Sequence, residues 1–274
     1  MSFSRLPVFF AALAAGLLVH AAPGAAQLAV EPLFLEVAPG QSVALRARNT
    51  SEKPMTLELE IARRHVDKDG VQTRTAADDD FIAIPPQAVV PPLGSQVFRL
   101  QSLPTGGPES RSYFVTVHQL PVKLGEIEGG GAQLQMVFAF DVAVHTVPPG
   151  AEAKPQIVSA ALSQTTVAPP KAETAAGAPD QSETKDRIAV PAVEVTLRNA
   201  GTKYVYLQNL EFIATGVDAA GSKVDLPRWD QNEIIDAAGV TLVEPGAERI
   251  LKLPLRHAPA LKSVSVEVRQ RPQL

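Results

Sequence analysis

The chain has 274 residues and no cysteine, and its 25 Lys and Arg against 29 Asp and Glu give a net charge of −4. The lack of cysteine excludes disulfides, thiolate metal sites and a thiol nucleophile. The acidic balance, without a basic run, argues against nucleic acid as a partner, and the length suffices for two ordinary domains.

The first 26 residues have the order of a secretory signal peptide. Arg5 is followed by an apolar run from Leu6 to Val19 and then by small residues ending at Ala26. This order predicts export and cleavage after Ala26. A transmembrane anchor is the alternative, but about 14 apolar residues are few for a bilayer span. We therefore expect a protein that is not embedded in a membrane.

Alternation of apolar and polar residues dominates the rest of the chain. It is clear in Ser42–Arg48, Met55–Ile61 and Val193–Asn199. This period predicts antiparallel strands with one buried face. The 24 prolines suit strand edges and turns and oppose long helices. Only Arg228–Gly239 indicates a short helical turn, so the sequence predicts an all-β protein.

An internal repeat predicts the number of domains. Three motifs recur in the same order, about 150 residues apart, and two copies of one β-sandwich explain this most simply. The paired stretches are Arg48–Leu57 with Arg198–Leu207, Val66–Gly70 with Val217–Gly221, and Val90–Leu100 with Val243–Leu253.

These patterns divide the chain into an N-terminal immunoglobulin-like domain (27–147), a hinge (148–155) and a C-terminal immunoglobulin-like domain (156–274). The proline and glycine content of Thr146–Pro155 is typical of a short, stiff hinge. The segment Ser163–Asp186 lacks aromatic residues and periodicity, which predicts a long mobile loop between two strands. A functional arm is the alternative interpretation of that segment.

No recognisable catalytic or metal motif occurs in the exported chain. Its histidines have no ligand spacing, and we expect His118 and His145 to be solvated or edge side chains. Asp67–Gly70 begins like a calcium loop but lacks the later ligands, so it predicts a hairpin turn. A nucleophile elbow and phosphate-binding loops are also absent. The sequence therefore predicts no enzyme, no cofactor and no metal site.

One long strand has a distinctive pattern. In "QLQMVFAFDVAVH" (Gln133–His145), every second residue from Leu134 to Val144 is apolar. We expect the large even-numbered side chains to face outward, while Val137 and Ala139 pack on their own domain. The alternative is an ordinary last core strand with the even-numbered side chains facing inward.

Three stretches together resemble the periplasmic pilus-assembly chaperones of the chaperone–usher type, in a divergent branch close to the spore-coat or archaic class. They are Phe81–Leu100, Glu109–Pro121 and Leu134–Pro149. The resemblance implies a periplasmic protein that needs no cofactor. It would cap fimbrial (pilin) subunits by donating a strand and deliver them to an outer-membrane usher. The implied donor residues are Leu134, Met136, Phe138, Phe140 and Val142.

The chain also departs from this family. The positions at which the family anchors a subunit's terminal carboxylate with Arg and Lys hold Phe34 and Ala143. Either a nearby cation replaces them or no terminal charge is recognised; the candidate cations are Arg46, Arg99 and Arg111. Glu109 matches the acidic member of the family's interdomain ion pair, but the partner position holds Val147.

Two other functions compete with this interpretation. A two-domain immunoglobulin-like surface protein, structural or adhesive, would share the fold but would not need a long one-sided apolar strand. A periplasmic hydrolase or sugar-binding module would need converging acidic, His or aromatic residues. One Trp and three Tyr make that aromatic supply thin.

Overall fold

The computed structural model describes residues 27–104, 107–121, 136–167, 187–256 and 259–271. This part contains eighteen strands, one α-helix and two short 3-10 turns, and its apolar side chains form two large cores, one for each half of the chain. The predicted all-β fold with two domains is confirmed.

The first domain is a sandwich of two sheets. One sheet has the strand order β1-β3-β8-β6, and the other has the order β2-β10-β9-β4-β5 with β7 also paired to β4. The strands are β1 (Leu28–Glu31), β2 (Phe34–Val37), β3 (Ser42–Asn49), β4 (Met55–Val66), β5 (Gln72–Ala76), β6 (Phe81–Ile84), β7 (Gln87–Val90), β8 (Ser95–Ser102), β9 (Arg111–Gln119) and β10 (Ala139–Thr146).

The second domain has two three-stranded sheets, β11-β12-β17 and β15-β14-β18, and a two-stranded ribbon of β13 and β16. Its elements are β11 (Pro155–Val167), β12 (Ile188–Asn199), β13 (Val205–Tyr206), β14 (Leu210–Asp218), β15 (Lys223–Asp225), α1 (Gln231–Ala238), β16 (Leu242–Val243), β17 (Glu248–Pro254) and β18 (Leu261–Gln270). Asp230 caps α1 with a capping box to Glu233, which explains why the helix begins there.

The recurring Arg-Asn motif has the same structure in both domains. Asn49 ends β3, and its buried amide donates to the carbonyls of Lys53 and Val90 while its oxygen accepts from the Ser51 N–H. Asn199 ends β12 and makes the equivalent bonds to Lys203, Val243 and Gly201. One buried amide therefore fixes the same turn in each sandwich.

The second recurring motif is a hairpin closed by an aspartate. Asp67 accepts from the N–H groups of Asp69 and Val71, and Asp218 accepts from those of Ala220 and Ser222. Each turn ends at a glycine with a positive φ, which an L side chain rarely adopts. The predicted hairpin at Asp67–Gly70 is therefore present.

Two expectations from the sequence need adjustment. The long loop does not begin at Ser163, because β11 continues to Val167, where it still pairs with Ile188. The rest of that segment, 168–186, and the predicted signal peptide, 1–26, lie outside the described residues. In the described part of the chain, no helix has the length and apolar character needed to cross a bilayer.

Candidate functional site

The candidate site begins at an open edge of β10. This strand pairs with β9 along its whole length, from Ala139 to Thr146. On its other side it pairs with β2 only from Ala143 to Thr146. No strand in the described part of the chain pairs with that second side between Ala139 and Val142.

The hydrogen bonds at either end show which backbone groups face this edge. The Gln119 N–H donates to the Phe138 carbonyl in 2.8 Å, whereas the Ala143 N–H donates to the Leu33 carbonyl, on the β2 side, in 2.9 Å. Backbone groups alternate in direction along a strand, so those of Ala139 and Asp141 point to the open side. A strand added there could form hydrogen bonds with the N–H and C=O groups of both residues.

The side chains of β10 face the opposite way from the expectation. Val142 and Val144 are fully buried, and Phe138 and Phe140 are half-buried against the first-domain core. Val137 and Ala139 are exposed instead. The expectation that the large face points outward is therefore wrong for Val142, which lies in the core, and the alternative of a core strand holds from Val142 to Val144.

Apolar exposure nevertheless increases toward the beginning of the strand. The series runs from Val142, at 0%, through the half-buried phenylalanines to Met136, at 60%. Leu134 lies outside the described residues. Because the core ends before the strand does, an apolar surface remains beside the open edge, where an added strand could cover it.

The two positions that were expected to hold a basic pair are direct neighbours. Phe34 and Ala143 are register partners in the parallel pairing of β2 with β10, and the Phe34 ring is 47% exposed. Both are neutral, and β2 closes the edge at this point. An added strand must therefore end or turn away beside Phe34.

The three candidate cations do not converge there. Arg46 on β3 and Arg99 on β8 are exposed on the other sheet of the sandwich. Arg111 lies at the start of β9, with its guanidinium 3.9 Å from an Asp80 carboxylate oxygen. The expectation that one of them stands in for the basic pair gains no support from their positions.

A different cation does approach β10. The Arg74 guanidinium holds both carboxylate oxygens of Asp141, at 2.9 and 2.5 Å, and lies over the Phe114 ring, 4.3 Å from its centre. The Thr116 hydroxyl donates to the same carboxylate in 2.7 Å. The Arg74 hydrogen bonds, with help from Thr116, hold the pKa of Asp141 below its usual value.

The two domains meet beside this edge through polar contacts. Glu36 on β2 accepts from the Tyr204 hydroxyl and forms an ion pair of 3.0 Å with Lys203. Ser110 donates its N–H to the Thr202 carbonyl, and its hydroxyl accepts from the Tyr204 N–H. These contacts and those of His145 below form what we call the interdomain joint.

Glu109, the predicted interdomain acid, is exposed and takes part in none of the ion pairs found among the described residues. The contact between the domains is made by its neighbour Ser110 and by Glu36 instead.

The sequence contained one signal for this joint: two of the three tyrosines, Tyr204 and Tyr206, are separated by one residue. Aromatic residues with a polar tip are favoured at such partly polar interfaces.

His145 is the centre of the joint, which corrects the expectation of a solvated side chain. It is fully buried, and its ring stacks on Tyr204 with centroids 3.9 Å apart. Its Nδ1 is 2.9 Å from the Ser112 hydroxyl and its Nε2 is 2.9 Å from the Tyr206 hydroxyl. Burial, with the nearby charges of Arg64 and Lys203, lowers the pKa of His145 to about 3.

This shift predicts a loss of stability in weak acid. The unfolded state takes up a proton on His145 near pH 6.5, its ordinary pKa, whereas the folded state resists protonation down to about pH 3. We expect the free energy of unfolding to fall as pH decreases through this window, by up to about 1.4 kcal/mol per pH unit.

Urea unfolding between pH 7 and 4.5 measures this slope. His145→Phe should remove most of this slope, whereas His118→Gln, at a partly exposed position of β9, should leave most of it in place. An equal slope in the parent and His145→Phe would contradict the prediction. The window lies above the range in which Asp141 contributes, since the pKa of that carboxyl is lowered.

A metal site and the crevice between the domains are less well supported as functional sites than the β10 edge. In the described residues no group of three or more His, Asp or Glu side chains could hold a metal ion. A crevice of about 720 Å³ lies between the domains and is lined by Phe34, Lys203, Tyr204, Tyr206 and Arg271, among others. It is an open extension of the joint beside the end of the β10 edge.

Comparison with known proteins gives one family match, to the first domain. Residues 34–152 match the family described as pili and flagellar-assembly chaperone, PapD N-terminal domain. No curated protein sequence matches the chain. Among solved structures, a chain of the chaperone–tip adhesin complex of CFA/I fimbriae biogenesis is similar at 9% identity and a TM-score of 0.53, covering 90% of this chain and 99% of its own.

The class 5 fimbriae chaperone CfaA is similar at 8% identity and a TM-score of 0.51, covering 90% of this chain and all of its own. At such identities these two structures show a shared two-domain fold and no more. The family match covers β2 to the hinge, including the whole open edge of β10. The first domain of the chain is therefore similar, over residues 34–152, to the N-terminal domain of the pili and flagellar-assembly chaperones.

Proposed function

We propose that this protein is a periplasmic chaperone that caps a fimbrial subunit by adding β10 to the subunit's incomplete sheet. The observation that carries the proposal is the open edge of β10 from Ala139 to Val142, next to partly exposed apolar side chains. An exposed strand edge pairs readily with another chain, and such pairing is a known mode of recognition.

The chemistry of the edge suits a subunit that lacks a strand. The outward backbone groups of Ala139 and Asp141 would satisfy the subunit's unpaired edge, and Met136, Phe138 and Phe140 would cover its apolar groove. Fully burying an exposed large apolar side chain contributes about 1.5–3 kcal/mol, and the half-buried phenylalanines would contribute only a part of that. The structural neighbour described in a chaperone–tip adhesin complex has the same fold, which is consistent with this role.

The periplasmic location is part of the proposal. It is supported by the order of charge, apolar run and small residues in 1–26. Capping would draw on the free energy of completing the subunit's fold, so no nucleotide is required.

Co-production with exported fimbrial subunits tests the proposal. We expect a soluble complex of one chaperone with one subunit, recovered from the periplasm, and aggregation or degradation of the subunit when the chaperone is absent. Recovery of this protein within assembled fibres, with no effect on the solubility of any subunit, would favour the structural or adhesive alternative.

We further propose that an outer-membrane usher docks on the opposite sheet of the first domain. The outer face of that sheet, here called the usher face, carries Ile82, Ile84 and Val97, which are 45–54% exposed, together with Arg46 and Arg99. Register places Ile84 next to Arg99 and Val97 next to Arg46. This face stays accessible while β10 is occupied, because the two lie on different sheets.

The usher face predicts a separation of two functions. Ile84→Asp should leave capture of a subunit unchanged and reduce binding of the loaded complex to the usher about tenfold, since a carboxylate replaces an apolar contact. Val89→Asp, at a 66% exposed position on β7, is the matched control. Surface plasmon resonance with the usher's periplasmic domain measures both, and equal binding by the two variants would contradict the docking proposal.

A further inference from the structure

The open edge carries a single charge. The residues from Met136 to Val142 are Met, Val, Phe, Ala, Phe, Asp and Val, so Asp141 is the one ionisable side chain on that stretch. A charge on an otherwise apolar edge strand restricts which strands can pair with it. We therefore ask what Asp141 does on this edge besides stabilising its own sheet.

The carboxylate of Asp141 is fixed in place. The forked bonds from Arg74 and the bond from Thr116 leave it little freedom, and the Phe114 ring beneath Arg74 has the Arg64 guanidinium near it as well, 4.6 Å from its centre. The side chains of Asp141 and Arg74 are 36% and 40% exposed. A strand added to the open edge would therefore meet a carboxylate that cannot swing away.

The cation that pairs with Asp141 comes from the side of β10 that is away from the open edge. Arg74 is on β5, so it reaches Asp141 over β4 and β9, from the paired side of β10. The acid on the neighbouring β4, Glu60, is bound to His118 at 2.8 Å. Among the described residues from Met136 to Val142, Asp141 is the charged side chain that a strand added on the open side would meet. Side chains directly across a strand pair are about 4.5–5.5 Å apart at Cβ, and like charges there are destabilising.

We propose that Asp141 is a specificity-determining residue for the subunit: the subunit residue that faces it across the open edge is basic or uncharged, and an acidic residue there is rejected. This inference rests on the proposed function and adds a rule for the client sequence. It explains why the open edge is not uniformly apolar.

A charge-swap experiment tests the rule. In a subunit captured by the parent, each outward residue of the edge strand that pairs with β10 is changed in turn to Glu and to Lys. At one position we expect Glu to weaken capture about fivefold relative to Lys, the size of a cross-strand charge pair. Asp141→Lys should reverse that preference, and Asp141→Asn should abolish it.

Glu60→Gln is the matched control, because it removes one negative charge from the same sheet face without touching the edge. A Glu-to-Lys ratio that is the same at every position for the parent, Asp141→Asn and Glu60→Gln would overturn the inference while the chaperone function stands. If Asp141→Lys does not fold, Asp141→Asn alone decides. Failure of the parent to capture any subunit would overturn the proposed function and the inference with it.

Discussion

A proline at Ala139 is expected to prevent capture of a fimbrial subunit and to leave the chaperone folded. The N–H of Ala139 points to the open side of β10, so its loss removes no hydrogen bond from the first domain. For an added strand, the same change removes one donor and places a ring against the partner backbone. At about 1.5–3 kcal/mol, this is roughly a 10- to 100-fold loss of affinity.

Phe140→Pro is the matched control on the next residue. Its N–H points to β9, so a proline there breaks the ladder that holds β10 in its own sheet, and we expect a lower melting temperature. Circular dichroism and co-purification with the subunit separate the two effects. Normal capture by a folded Ala139→Pro would show that the subunit binds elsewhere, and the strand-addition proposal would be abandoned.

The position of the edge strand was predictable, but the direction of its faces was not. A period of two tells which residues share a face, and it grouped Met136, Phe138, Phe140 and Val142 correctly. Whether that face meets the protein's own core depends on where the sheet ends, which local sequence does not encode. Here the same face is core at Val142 and accessible surface at Met136, so both interpretations of the pattern apply, at different ends of one strand.

The fold followed from local patterns because each recurring motif has a local structural cause. Asn49 and Asn199 bond to carbonyls next to their own turns, and Asp67 and Asp218 close their own hairpins. Short-range rules of this kind are readable in a single sequence.

The interdomain joint was not predictable in the same way. Glu36 and Tyr204 are 168 residues apart in the chain, and His145 and Tyr206 are 61 apart. The burial of His145 comes from the second domain, which covers an alternating strand position that otherwise would face solvent. Arg74 likewise reaches Asp141 only because β5 and β10 belong to one sheet.

A buried arginine of the second domain lies beside the Asp67–Gly70 hairpin of the first domain. Arg249 on β17 is fully buried, and its guanidinium donates to the carbonyls of Val240, Leu242 and Ala238, the last of these at the end of α1. A cation at the end of a helix is favoured by the helix dipole. A Cβ on Gly70 would come within 2.6 Å of the Arg249 Nη2. The glycine in this hairpin of the first domain therefore leaves room for the guanidinium.

We expect Arg249→Ala to destabilise the second domain by about 3–5 kcal/mol, because three buried carbonyls lose a charged donor and a cavity remains in its place. The loss of the guanidinium should also loosen a neighbouring contact between the two domains, in which the Ile250 N–H donates to the Lys68 carbonyl in 2.8 Å. Trp229, the single tryptophan, is buried in this domain and reports its unfolding in urea. Lys252→Ala, on an exposed position of the same strand, should change stability by less than about 0.5 kcal/mol. A similar small change for Arg249→Ala would mean that water replaces the guanidinium without cost, and would contradict the prediction.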